Sequence, residues 1–163
     1  MKLGLPEEKP EGLDSPTTAK IIKYMARAQV RVFKLTNGRV GSKWRIGAGF
    51  RKPVPTLLLD HVGRKSGESY TTPLLYLADG PDLVIVGSQG GLPKDPQWFH
   101  NLVAHPETSV QLRREGSRPV RARVAEADER AGLWPRLVSL YADFEDYQAV
   151  TDRIIPVVVL EPR

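Results

Sequence analysis

The apolar runs of this chain are separated by gaps too short to hold a crossover. Val54–Val62, Ser69–Ala78 and Leu83–Val86 are apolar or β-branched, and only Gly63-Arg64-Lys65-Ser66-Gly67 and Asp79-Gly80-Pro81-Asp82 divide them. Parallel neighbours need a connection of about a dozen residues or more, whereas hairpins need only a few. These strands are therefore expected to pair antiparallel, which argues against a doubly wound nucleotide-binding sheet. A second hairpin is predicted from Thr108–Arg114 and Arg118–Ala125 across Glu115-Gly116-Ser117, and a last strand from Ile155–Leu160. Helices are predicted over Pro96–Ala104, over Ala127–Leu140 with Pro135 bending or dividing it, and over Glu145–Asp152. The expected class is α+β, a small closed or split β-barrel of about six mainly antiparallel strands with flanking helices. Residues 1–16, rich in Pro, Glu and Gly, read as a mobile arm, leaving 17–163 as a single domain.

Ahead of the strands, Ser15-Pro16-Thr17 supplies cap and first-turn chemistry for a helix over 17–35, which Asn37-Gly38 stops. Ile21, Met25, Ala28, Val32 and Leu35 recur at helical spacing, and Lys20, Lys23, Arg27, Arg31 and Lys34 form a second, wholly basic stripe. Two readings fit this basic N-terminal helix: a core-facing seam with a solvated charged side, or a helix lying on anionic lipid. The net charge is +5, yet Lys20–Gly67 holds twelve Lys and Arg residues against the single acid Asp60. Such a block calls for an anionic partner. It is not interleaved with stacking aromatics, so no nucleic acid is expected. No secretory leader or spanning run is visible, so the chain is expected in the cytoplasm, with peripheral contact to the inner face of the membrane under the lipid reading.

Cysteine is absent, which removes disulfides, thiolate catalysis and Cys-ligated metals. His61, His100 and His105 are not spaced as a ligand set, so no metal site is expected. What remains is an anion site. In Gly63-Arg64-Lys65-Ser66-Gly67 the glycines free backbone N–H groups while Arg64 and Lys65 supply charge, although the same segment could be a solvated hairpin tip. Ser88-Gln89-Gly90-Gly91 adds polar, flexible backbone, and Gln97-Trp98-Phe99-His100-Asn101 sets aromatic area beside amide and imidazole groups. Together they suit a ring system with a phosphate tail.

In this order, Gly63–Gly67, Pro73-Leu74, Ser88–Gly91, Pro96–Leu102 and His105-Pro106 resemble the deazaflavin (coenzyme F420)-dependent nitroreductase and quinone reductase family. So do Trp134-Pro135, Tyr141, Asp146-Tyr147-Gln148 and Thr151–Pro156, and the resemblance spans about residues 20–162. It implies a flavin-reductase-like split barrel, coenzyme F420 as cofactor with FMN as the alternative, and hydride transfer to a quinone, nitroaromatic or other electron-poor acceptor. It implies that Arg64, Lys65 and Ser66 hold the cofactor's phosphate and acidic tail, with Lys43, Arg51 and Lys52 as further partners. Tyr70, Thr71, Thr72, Pro73, Leu74 and Leu75, with Gly87, Ser88 and Gln89, would line the deazaflavin, and Gln97, Trp98, Phe99, His100 and Asn101 would continue that wall. Ser88, Tyr141, Phe144 and Tyr147 would form the substrate pocket, with no obligatory acid or base. Gln89 stands where the family pattern has a lysine, and Phe144 where it has a third tyrosine. The alternative from a different class is a non-catalytic module that binds F420 or lipid.

Overall fold

The computed structural model describes residues 15–44 and 52–163, so the predicted arm up to residue 14, and Arg51, lie outside the described residues. Pro16, read from sequence as part of that arm, is instead the first residue of helix α1 (Pro16–Leu35), which Ser15 caps by accepting the Thr18 N–H. Then follow β1 (Lys43–Trp44), β2 (Val54–Val62), β3 (Ser69–Leu75), β4 (Leu77–Asp79), β5 (Asp82–Val86), α2 (Gln97–Ala104), β6 (Glu107–Leu112), β7 (Gly116–Val124), α3 (Ala127–Leu140), α4 (Asp143–Ala149) and β8 (Val157–Pro162). Every pairing is antiparallel.

The described residues hold eight strands where about six were expected, and the surplus has two sources. The two-residue β1 is too short to carry any pattern. The run read as one strand, Ser69–Ala78, breaks at Tyr76, because the chain changes partner there: β3 pairs with β2 and β4 with β5. The Tyr76 N–H bonds the Pro55 carbonyl at 3.2 Å across the break. That switch closes the architecture. The path β2-β6-β7-β8-β5-β4 returns through Tyr76 to β3, the neighbour of β2, making the curled split barrel.

Burial explains why the central strands are apolar throughout. Leu83 and Ile85 of β5 and Val158 and Leu160 of β8 join Leu57, Leu59, Val110 and Val120 in one cluster, which α2 enters with Trp98 and Leu102. The alternate residues Val84, Val86, Val157 and Val159 pack in a second cluster with Leu133 and Leu137 of α3 and Phe144 of α4. A strand covered on both faces loses the polar alternation of a one-sided sheet. Helix α3 runs unbroken across Pro135. Leu133 and Leu137, both buried, anchor it on either side of the proline, and their burial outweighs a missing hydrogen bond.

The predicted core-facing seam of α1 is corrected by the structure. Phe33 alone is fully buried, while Ile21, Met25, Val32 and Leu35 are exposed, Leu35 at 87%. Phe33 fixes the helix end beneath the Gly38 turn, where φ is +73° and a Cβ would lie 2.6 Å from Arg113 Cα, so only glycine fits. Beyond that anchor the helix lies along β3. Its Ile22, Met25, Ala26 and Gln29 face a cavity rather than the core. No helix among the described residues is long and apolar enough to cross a membrane.

Candidate active site

Two cavities, each of about 380 Å³, share the strand β3. The first is polar. Its walls are the β2–β3 turn (Gly63, Arg64, Lys65, Ser66), His61, Tyr70, and Gln97 and Asn101 from α2. The turn is closed by the Gly67 N–H donating to the Gly63 carbonyl at 2.8 Å, with Gly67 at φ +72°. The Arg64 N–H donates to Asn101 Oδ1 at 3.1 Å and its guanidinium to Gln97 Oε1 at 2.8 Å, so two amides one helical turn apart clamp the tip. Among the described residues neither Arg64 nor Lys65 pairs with a carboxylate. Two cations held at a cavity without a counter-ion make a site for an anion.

The second cavity is apolar and aromatic. Thr72, Pro73, Leu74 and Leu75 of β3 form one wall, the α1 residues another, and Trp44, Tyr141, Phe144 and Tyr147 a third, with Val86, Ser88 and Gly90 completing it. The Trp44 Nε1–H donates to the Tyr141 hydroxyl at 3.3 Å, and the Tyr141 and Tyr147 hydroxyls lie 3.5 Å apart. Burial pushes the pKa of both phenols up, so each keeps its proton and stays a donor. Thr56 also lines this cavity, 2% exposed, and its Oγ1 has no hydrogen-bond partner among the described residues. A buried hydroxyl without a partner destabilises a fold. Replacing it by a methyl in Thr56→Val is expected to raise stability by about 1 kcal/mol, read as a higher urea midpoint; a midpoint at or below that of the parent would show the hydroxyl to be satisfied.

The structure sorts the residues singled out from sequence. Arg64, Lys65, Ser66, Tyr70, Gln97 and Asn101 meet at the polar cavity, and Thr72, Pro73, Leu74, Leu75, Ser88, Tyr141, Phe144 and Tyr147 at the apolar one. Trp98, Phe99 and His100 line neither. A helix turning about 100° per residue presents only every third or fourth side chain to one side, so Trp98 points into the core and Phe99 into a separate groove with Val103 and Val124. Thr71 lines neither cavity and donates to Asp60 Oδ1 at 2.7 Å. Gly87 is buried against Pro156, and Gln89, at φ +44° and exposed, leaves the cavity wall to Gly90. Lys43 and Lys52 line neither cavity.

Several contributors were not read as site residues from the sequence: Ile22, Met25, Ala26, Gln29, Trp44, Thr56, Val86 and His61. Arg153 was seen only as part of a motif. It is a hub, donating to the carbonyls of Gly87, Ser88 and Leu92 and to Asp95 Oδ1 at 2.7–3.1 Å, and so holds the loop that carries Ser88 and Gly90. An arginine directly before the apolar run Ile154–Leu160 was the available signal.

Comparison with known proteins accords with this geometry. A family model described as F420H(2)-dependent quinone reductase matches residues 25–162. A Mycobacterium tuberculosis protein named "Putative F420H(2)-dependent quinone reductase Rv3178" is 54% identical over 119 residues, covering 73% of this chain and 99% of its own. The F420H(2)-dependent quinone reductase Rv1261c of the same organism is 35% identical over 144 residues, covering 85% and 91%. Among solved structures, that of the F420-H2 dependent reductase FDR-A superposes with a TM-score of 0.61 at 37% identity, over 66% of this chain and 94% of its own.

Proposed function

Since the chain belongs to the F420H(2)-dependent quinone reductase family, we propose that its two cavities divide the work of one hydride transfer, from reduced F420 to a quinone. The observation that carries this reading is the change of character along β3, from a cavity with two cations that no carboxylate among the described residues pairs to one with apolar and aromatic walls. F420 combines an anionic tail with a flat ring, and the residues present fit both. Arg64, Lys65 and Ser66 would hold phosphate and carboxylate, and Thr72 to Leu75 would orient the ring. When bound, the reduced cofactor supplies a hydride from C5 of its ring. Ile22, Met25 and Phe144 keep water from the transfer, while the Tyr147 or Ser88 hydroxyl donates to the acceptor oxygen that gains charge.

Phe144 carries no hydroxyl, so quinones suit the cavity better than nitroaromatics, whose paired oxygens call for a further donor. The test mixes purified protein with reduced F420 and menadione, then with a nitroaromatic. Recovery of oxidised-F420 absorbance above the uncatalysed rate with menadione is expected; no recovery would sink the reading.

Peripheral contact with an anionic membrane forms the outer part of the same proposal. It rests on the exposed stripe Lys20, Lys23, Arg27, Arg31 and Lys34, beside exposed Ile21, Tyr24 and Leu35. Each cation near such a surface contributes about 1 kcal/mol, so reversing Lys23, Arg27 and Arg31 to Glu is expected to lower sedimentation with phosphatidylglycerol vesicles at least about tenfold. Equal sedimentation of parent and variant would remove α1 as the anchor.

A further inference from the structure

His61 joins the two cavities, and its hydrogen bonds can run in only one direction. The Arg64 backbone N–H is a donor and nothing else, so the atom of Asn101 that meets it at 3.1 Å is the carbonyl oxygen Oδ1. That places the amide nitrogen Nδ2 3.0 Å from His61 Nδ1. An amide nitrogen donates and cannot accept, so Nδ1 accepts and carries no proton. The ring's one proton is then on Nε2, 2.8 Å from Thr72 Oγ1, and His61 donates to that hydroxyl. Asn101 and His61 are 4% and 7% exposed, which keeps water from reversing the sequence, and Tyr70 stacked at 5.6 Å fixes the ring plane. Burial also lowers the His61 pKa, in keeping with a neutral ring.

The consequence falls on Thr72. Its oxygen already accepts from His61, its only hydrogen-bond partner among the described residues, and the residue lines the apolar cavity. We propose that the Thr72 hydroxyl, its proton turned away from His61, donates into that cavity to a carbonyl oxygen of the bound ring system. With one of its two lone pairs taken by His61, the hydroxyl has its proton free for an acceptor, so a carbonyl oxygen satisfies it while a group that only donates leaves that proton unpaired. His61 and Asn101 act through Thr72 as positioning residues. The identity of the ring rests on the function proposed above; the direction of the chain from Arg64 to Thr72 does not.

The experiment has two independent parts. In the first, ¹⁵N NMR of the parent protein, with the His61 signals assigned through His61→Gln, is expected to show the Nε2–H tautomer. Asn101→Asp, which accepts from Arg64 but cannot donate, is expected to move a proton to Nδ1. A parent ring protonated on Nδ1 would overturn the proposal. In the second, Thr72→Val is expected to weaken one recognition step about tenfold, as the loss of one hydrogen bond implies, and Thr72→Ser to restore most of it. A weaker F420 dissociation constant, read by deazaflavin fluorescence, places the carbonyl on the cofactor. A higher KM for menadione with F420 affinity unchanged places it on the quinone. Values within about twofold of the parent in both arms would also overturn the proposal, since a lost hydrogen bond of ordinary strength exceeds that. A parent protein that binds no F420 defeats the function proposed above instead, and the tautomer still decides the direction of the chain.

Discussion

Arg153→Met is expected to lower turnover with menadione about 100-fold, since misplacing a binding loop by about 1 Å costs that much, and to lower stability by about 3 kcal/mol. The side chain is 14% exposed, and its partner Asp95 28%. Methionine fills a similar volume but leaves Asp95 without its cation and takes the guanidinium from the carbonyls of Gly87, Ser88 and Leu92, of which Ser88 keeps the Gly91 N–H. Complete removal of a buried partner costs about 3–5 kcal/mol, and the partial exposure of Asp95 puts this case at the low end. The residue is tied from behind as well. Its carbonyl accepts from Gln148 Nε2 at 2.8 Å, while Gln148 Oε1 receives the Ile155 N–H at 2.9 Å and Arg130 Nη2 at 3.0 Å. Arg153→Lys keeps the charge without the planar fork, and so recovers little. Urea unfolding gives the stability and steady-state kinetics the turnover. Loss of stability with turnover unchanged would show that the loop does not depend on this hub.

The second large effect concerns the cation turn. Truncating Arg64 and Lys65 together to Ala is expected to weaken F420 binding about 100-fold, about tenfold for each charge-assisted contact with the anionic tail. Both side chains are exposed, so raising the ionic strength should weaken the parent protein and leave the double variant nearly unaffected. Arg64→Ala keeps the backbone N–H that meets Asn101, so the arrangement of His61 and Thr72 survives the change. Fluorescence titration at low and high salt measures both quantities. An affinity that neither substitution alters would place the anionic tail elsewhere.

Local chemistry carried much of the architecture into the sequence. Short turns between apolar runs dictate hairpins wherever they occur, because no crossover fits within them. The uninterrupted apolar stretches Leu83–Val86 and Val157–Leu160 signal strands covered on both faces, as the two core clusters show. Glycine at Gly63 and Gly67, with cations between, marked a candidate turn for an anion, since both features are properties of the residues themselves.

Other features depend on which distant segment a residue meets, and no local period encodes that. The apolar stripe of α1 has true helical spacing, yet of its residues only Met25 reaches the cavity, beside Ile22, Ala26 and Gln29, and the facing wall of β3, α4 and Trp44 is one that only folding assembles. The run Ser69–Ala78 has strand character throughout, but its break at Tyr76 arises because β2 and β5 claim its two halves. Five consecutive residues, Gln97 to Asn101, look equally suited to bind a ring, and the seating of α2 on the barrel sends only Gln97 and Asn101 to the site. By itself the sequence determined an antiparallel barrel with a cationic turn, because turn length, alternation and charge are written within a few residues. The tertiary structure alone decided the walls of the candidate site and the direction of the hydrogen bonds through His61, because those follow from contacts between residues as far apart as Trp44 and Tyr141.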